Sequence, residues 1–200
     1  MIDVYVFKNN HFGKNITLLN LTPLNHIFAY EEEEKKLCSF SAYYFLENNH
    51  INVDFINGKP IDKNGKFISI SHSSTLVAVA IGDNEVGIDI ELIKPFNENL
   101  INKVFSLQEK KQYQKGDIDF FFKIWVNKEA YCKRLGTGLT CYPKDIEVTG
   151  FIDSNIIFVD DKRYYLSVSL NNEEKISFHL LDGKFAESVK ISLQKLYSYI

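Results

Sequence analysis

Thr75–Leu92 reads TLVAVAIGDNEVGIDIEL: a strand-like run to Ile81, the turn-like Gly82-Asp83-Asn84-Glu85, and a second run from Val86 that predicts a hairpin. In the second run apolar and acidic residues alternate. Ile88 and Ile90 turn toward a core, so Asp89 and Glu91 project together from the other face. Two carboxylates so close repel unless something positive sits between them. A hard divalent cation such as magnesium suits the pair, because it takes oxygen ligands and bridges carboxylates to phosphates. An exposed strand edge would carry the same two residues equally well.

Working outward, Phe67 to Ile70 is strand-like and leads into Ser71-His72-Ser73, either a polar turn or a set of phosphate-binding groups. Gly58-Lys59-Pro60 has the composition of a loop with a stiff exit. Residues 31 to 48 predict a helix whose acidic opening, Glu31 to Glu34, matches the positive end of the helix dipole. Ser106 and Glu109 have capping-box spacing, so a short helix should start after Ser106. Phe120 to Leu135 predicts a stronger helix that stops at Gly136 and carries Glu129 and Lys133 one turn apart. Short strands follow at Asn155 to Val159, Tyr164 to Ser169 and Lys175 to Leu181, while Ser188 to Ile200 reads ambiguously.

The order, helix then hairpin and again helix then strands, predicts an α+β protein of two similar halves, each a small antiparallel sheet packed with helices. The division falls at residues 1–98 and 99–200, across a joint at 93 to 104. Two hundred residues bury a core without metal or disulfide staples. A net charge of −3 with dispersed lysines offers no field for a polyanion, so nucleic acid is not an expected partner. Cys38, Cys132 and Cys141 lie far apart without a Cys-x-x-Cys pair, which fits a reducing cytoplasm. The longest apolar run, Leu76 to Ile81, is too short to span a bilayer, and Met1 to Phe7 lacks the pattern of a secretory leader. A soluble protein with no membrane partner is the expectation.

Taken in order, GKP at 58–60, SHS at 71–73, GIDIE at 87–91, FSxxE at 105–109, WxxKEAxxK at 125–133 and GxGL at 136–139 resemble the 4'-phosphopantetheinyl transferase superfamily, in its pseudo-dimeric Sfp-like class. GIDIE followed some forty residues later by WxxKEA is specific in combination. The resemblance implies a pseudo-twofold fold. It also implies transfer of the 4'-phosphopantetheine group from coenzyme A to a serine of an acyl or peptidyl carrier protein, with release of 3',5'-ADP.

By the same resemblance Asp89, Glu91 and Glu129 are the magnesium ligands, and Asp89, Glu129 and Lys133 are the catalytic residues. Glu129 would also accept the serine proton, directly or through water. Lys133, Ser71, His72 and Lys128 would hold coenzyme A phosphates, and Lys59 and Pro60 would lie near the adenine. Lys35 and Lys36 are the basic residues the first helix offers to the 3'-phosphate. Lys94 to Lys115 corresponds to the carrier-facing segment, with Lys94, Lys103, Lys110 and Lys111 basic and Leu100 or Val104 apolar. Ser69 stands where relatives often carry Asn, and Val126 where a small hydroxyl or thiol residue is common. Two internal halves would form the cleft within one chain, so a monomer is expected. A catalytically inert coenzyme A binding module and a metal-dependent diphosphate hydrolase are the alternative readings.

Overall fold

The computed structural model describes residues 1–9, 33–56, 58–138 and 142–181, and the backbone of 189 and 190. Glu31, Glu32, Leu139, Cys141 and most of 188–200, for which the sequence carried expectations, lie outside the described residues. Strands β1 (Ile2–Lys8), β2 (Val53–Ile56), β3 (Lys59–Asp62), β4 (Phe67–Ser73) and β5 (Leu76–Gly82) join one sheet. Two later strands, β9 (Ile176–Leu181) and β10 (Val189–Lys190), complete it in the order β10-β9-β1-β5-β4-β3-β2. A second sheet, β6-β8-β7, holds β6 (Val86–Leu92), β7 (Phe151–Val159) and β8 (Lys162–Leu170). The protein is mixed α+β, with two sheets packed with helices.

The expected hairpin is not one. Strand β5 is buried along its whole length and pairs on one edge with β1 and on the other with β4. No edge remains for β6, which after the turn at 83–85 crosses to the second sheet and pairs antiparallel with β8, Ile88 opposite Val168 and Asp89 opposite Ser167. The continuous apolar run of β5 is the composition of a strand covered on both faces. Two further readings change with the strands. Ser71-His72-Ser73 ends β4 instead of forming a turn, and Lys59-Pro60 opens β3 after Gly58, whose φ of 77° makes the turn from β2.

Between the sheets Val4, Ala78, Ala80, Ile88, Ile90, Leu166 and Val168 form one core. On the opposite face of the larger sheet, helix α1 (Glu33–Asn48) inserts Cys38, Ala42, Phe45 and Leu46 against Phe7, Val77 and Val79. A third cluster, with Val104, Phe105, Phe121, Phe122, Val126 and Tyr165, joins α2 (Ile101–Val104) to α4 (Ile118–Leu135) and the smaller sheet. Helix α3 (Leu107–Gln112) starts with the expected capping box, Ser106 with Glu109. Helix α4 is capped by Asp117, which accepts from the Phe120 amide, and ends at Gly136 in the left-handed conformation, φ 71°. Among the described residues no helix is long and apolar enough to cross a membrane.

Candidate active site

The geometry of the site begins with an unusual strand edge. One edge of β6 bonds to β8; on the other, the amides of Ile88, Ile90 and Leu92 donate to the hydroxyls of Ser69, Ser71 and Ser73 on β4, at 3.0, 3.4 and 2.9 Å. Buried amides need acceptors, and here alternate serines supply them where a strand carbonyl otherwise would. The two sheets are thus stitched together along the strand that bears Asp89 and Glu91.

From the other side, α4 approaches β6 at Gly87. A Cβ at that position would lie 1.9 Å from the Ala130 carbonyl oxygen, so only glycine admits the helix so close. Glu129 and Lys133, one turn apart on the same helix face, are thereby carried to the two carboxylates. Arg134 fixes the end of α4 by donating to Ser169, Asn171 and the Thr149 carbonyl.

Asp89 is 4% exposed, and its Oδ1 accepts from Ser71 at 2.7 Å and from the Lys133 ammonium at 2.8 Å. Its Oδ2 is buried with no hydrogen-bond partner among the described residues. Ser73 donates to Glu91 at 2.7 Å, and the Trp125 side chain bonds the same carboxylate. Burial, with the Asp89 charge beside it, pushes the Glu91 carboxyl up, against the pull of Ser73, Lys133 and Trp125. Glu129 is pushed up to about 7, by burial first and then by Asp89 and Glu91, with Lys133 opposing. The site therefore holds more negative charge than its own cation balances. Among the described residues no three His, Cys, Asp or Glu side chains stand close enough together to hold a metal ion; the carboxylates sense one another by charge.

A testable consequence concerns stability. The Glu129 pKa is higher in the fold than the ordinary 4.5, so the folded state binds the extra proton and loses stability as pH rises from about 4.5 through about 7. In chelator-treated protein, Glu129→Gln should remove that loss. It should raise stability at pH 8 by about 1 to 2 kcal/mol after allowance for solvent screening, a few degrees in melting temperature, with no gain at pH 5. A melting temperature unchanged at both pH values would show that Glu129 is not repelled.

Asp89, Glu91, Glu129, Lys133, Ser71, His72, Lys59 and Pro60, all expected from the sequence, line one cavity of about 810 Å³. Tyr43 and Phe55, which sequence reasoning did not single out, contribute aromatic wall. Burial lowers the His72 pKa, as do the Lys133 and Lys35 charges, so the imidazole favours its neutral form. Exposed Lys35 acts on His72 through its charge, but neither it nor Lys36 lines the cavity. Lys59 lies over the Phe67 ring and donates to the Arg134 carbonyl at the C-terminal end of α4. Ser71 accepts from Ile90 and Lys133 and donates to Asp89, which exhausts a hydroxyl's one proton and two lone pairs.

Lys128 stands elsewhere. Its ammonium is buried away from the cavity, 2.7 Å from Glu109 and 2.9 Å from the Val104 carbonyl, so the lysine expected at a phosphate instead ties α4 to α2 and α3. Successive helix residues point about 100° apart, so Lys128 cannot share the face of Glu129. Val104 is buried and cannot offer apolar surface to a partner, whereas Leu100 is 39% and Leu107 79% exposed. Sequence reasoning also missed the part played by Trp125 and by the serine series; the period-two hydroxyls at 69, 71 and 73 were the available signal.

The chain is similar to known proteins over much of its length. The family model of the 4'-phosphopantetheinyl transferase superfamily matches residues 85–193, more than half of the chain. The 4'-phosphopantetheinyl transferase gsp of Aneurinibacillus migulanus is 27% identical over 147 residues, 72% of this chain and 57% of that protein. The transferase psf-1 of Bacillus pumilus is 34% identical over 90 residues, 42% of this chain and 39% of that protein. Sfp of Bacillus subtilis strain 168 is 34% identical over 89 residues, 42% and 40% of the two chains. The chain thus spans little more than half of the first relative and about two fifths of the others.

Proposed function

The chain belongs to the 4'-phosphopantetheinyl transferase superfamily, in its Sfp-like class, and from that premise we propose that it moves the 4'-phosphopantetheine group of coenzyme A onto a serine of an acyl or peptidyl carrier protein. 3',5'-ADP is the leaving product. One observation carries the reading: Asp89 keeps a buried, unpartnered anionic oxygen on a residue that lines a cavity with Glu91, Glu129 and Lys133. An orphaned carboxylate oxygen among excess negative charge is what a hard cation relieves, and the donors here are all oxygen. Asp89, Glu91 and Glu129, too far apart in the metal-free chain to share an ion, would therefore draw together to hold magnesium. Bound there, it would grip the diphosphate of coenzyme A and spread the charge that builds on the phosphate oxygens.

The remaining chemistry falls to the protein. Glu129 takes the serine proton, directly or through water. The serine oxygen then bonds to the phosphorus that bears pantetheine, and the bond from that phosphorus to 3',5'-ADP breaks. Lys133 carries three donors, of which Ser71 and Asp89 engage two, leaving the third for a phosphate oxygen. His72 and, from helix α1, Lys35 and Lys36 serve the nucleotide phosphates. Lys59 and Pro60, beside Tyr43 and Phe55, form the adenine wall. On the outer surface Lys94, Lys103, Lys110 and Lys111, with exposed Leu100 and Leu107, offer a basic and apolar face to an acidic carrier. A cytoplasmic monomer belongs to the same proposal.

The test is to incubate purified protein with coenzyme A, magnesium and, in turn, apo fatty-acid, polyketide and peptide carriers, and to read intact masses. One carrier should gain the mass of phosphopantetheine. Coenzyme binding without modification of any carrier would leave an inert binding module instead, and release of phosphopantetheine in the absence of carrier would leave a hydrolase.

A further inference from the structure

Ser73 does not line the cavity, yet its hydroxyl has two fixed partners. The Leu92 amide, 2.9 Å away, can only donate, so it takes a lone pair of the hydroxyl. The hydroxyl proton goes to Glu91 Oε2 at 2.7 Å. The carboxylate orientation is thereby coupled to the backbone of its own strand. Ser71 repeats the device two residues earlier, accepting from the Ile90 amide and donating to Asp89 Oδ1 at 2.7 Å. The third serine supplies the contrast: Ser69 accepts from the Ile88 amide in the same way, but the residue before Ile88 is Gly87, with no carboxylate to aim.

We propose that Ser73 is a positioning residue of this site, the hydroxyl that aims the Glu91 carboxylate at a bound divalent cation. The proposal rests on the reading that Asp89, Glu91 and Glu129 hold that cation. Ser73 carries it more cleanly than Ser71, which also meets Lys133, so that its loss would disturb several contacts at once. A hydrogen-bond partner of a ligand governs metal affinity without touching the metal, typically by about 10- to 100-fold.

The experiment is a titration of the full chain with Mn²⁺, with and without coenzyme A, reading free Mn²⁺ by electron paramagnetic resonance beside melting temperature. Ser73→Ala should bind Mn²⁺ about 10- to 100-fold more weakly, and Ser73→Thr, which keeps the hydroxyl, should recover to within about threefold of wild type. Ser69→Ala should lower the melting temperature by a similar amount to Ser73→Ala while leaving Mn²⁺ affinity unchanged. Should Ser73→Ala not fold, Ser73→Cys, of similar size and weaker donor strength, takes its place with the same expected result. Equal Mn²⁺ affinity in wild type and Ser73→Ala, equal losses of Mn²⁺ affinity in Ser69→Ala and Ser73→Ala, or no recovery of that affinity in Ser73→Thr would each overturn the role of Ser73. A wild-type chain that takes up Mn²⁺ and modifies a carrier while Ser73→Ala binds equally well fails this inference alone. A wild-type chain that binds no Mn²⁺ fails the metal reading, and the role of Ser73 with it.

Discussion

Asp89→Asn protein is expected to fold, to melt no lower than wild type, and to transfer phosphopantetheine about a thousandfold more slowly or worse, roughly 4 kcal/mol of lost transition-state stabilisation. The substitution keeps shape and removes charge. Asp89 Oδ1 is the anchor of Lys133, through a 2.8 Å ion pair whose acidic partner is nearly buried. Oδ2 is the unpartnered oxygen that the proposed cation would take. An amide supplies neither a full negative charge for the ammonium nor a good hard-cation ligand, so both halves of the site weaken together.

The expected stability runs the other way. The Asp89 charge is among the causes that push both Glu91 and Glu129 up, so its removal relieves repulsion in the metal-free protein. Loss of function with unchanged or higher stability is the pattern of a site built against its own stability. Transfer by Asp89→Asn within tenfold of wild type, in protein shown to be free of deamidated aspartate, would remove Asp89 from the mechanism. A large drop in melting temperature would instead make the Lys133–Asp89 pair a structural tie.

How far the site was legible depends on the range of each signal. Capping of α3 by Ser106 and Glu109, and the stop of α4 at Gly136, are decided within one helical turn, and both appear as the residues foretell. The shared face of Asp89 and Glu91 follows from strand alternation alone. The partner of β6 does not, because a turn at 82–85 between two apolar runs says that the chain reverses and not which edge is vacant. That edge was closed by β1, whose residues lie 68 to 80 positions from their partners on β5, and β8 waited about as far downstream. Lys128 fails for a related reason: its place in the motif beside Glu129 suggests one ligand for both, while helical geometry sends it to Glu109. The serine stitching along β6 was written in the sequence as Ser69, Ser71 and Ser73, but the amides that need it became visible only once β6 had left the first sheet.

Gly87→Ala tests the close approach that assembles the site, and it is expected to cost both stability and activity. The added Cβ would lie 1.9 Å from the Ala130 carbonyl oxygen, 2.5 Å from the Arg134 amide nitrogen and 2.9 Å from the Arg134 Cβ. Two of those atoms are backbone, so no rotamer change relieves the overlap; α4 itself must withdraw by about an ångström or more. Arg134 resists the withdrawal through its bonds to Ser169, Asn171 and Thr149, and so does Lys59 on the Arg134 carbonyl. Overpacking against such a frame should lower unfolding free energy by about 3 kcal/mol or more. A displacement of that size would also stretch the Lys133–Asp89 contact and carry Glu129 away from β6, with a loss in transfer on the order of a hundredfold. Because the obstacle is a carbonyl oxygen and not a methyl group, Ala130→Gly added to Gly87→Ala should restore neither property. Denaturant unfolding and transfer rates on the single and double variants measure this. Wild-type values for Gly87→Ala, or rescue by Ala130→Gly, would mean that the helix does not rest on the glycine and that something else sets the spacing between Glu129 and the β6 carboxylates.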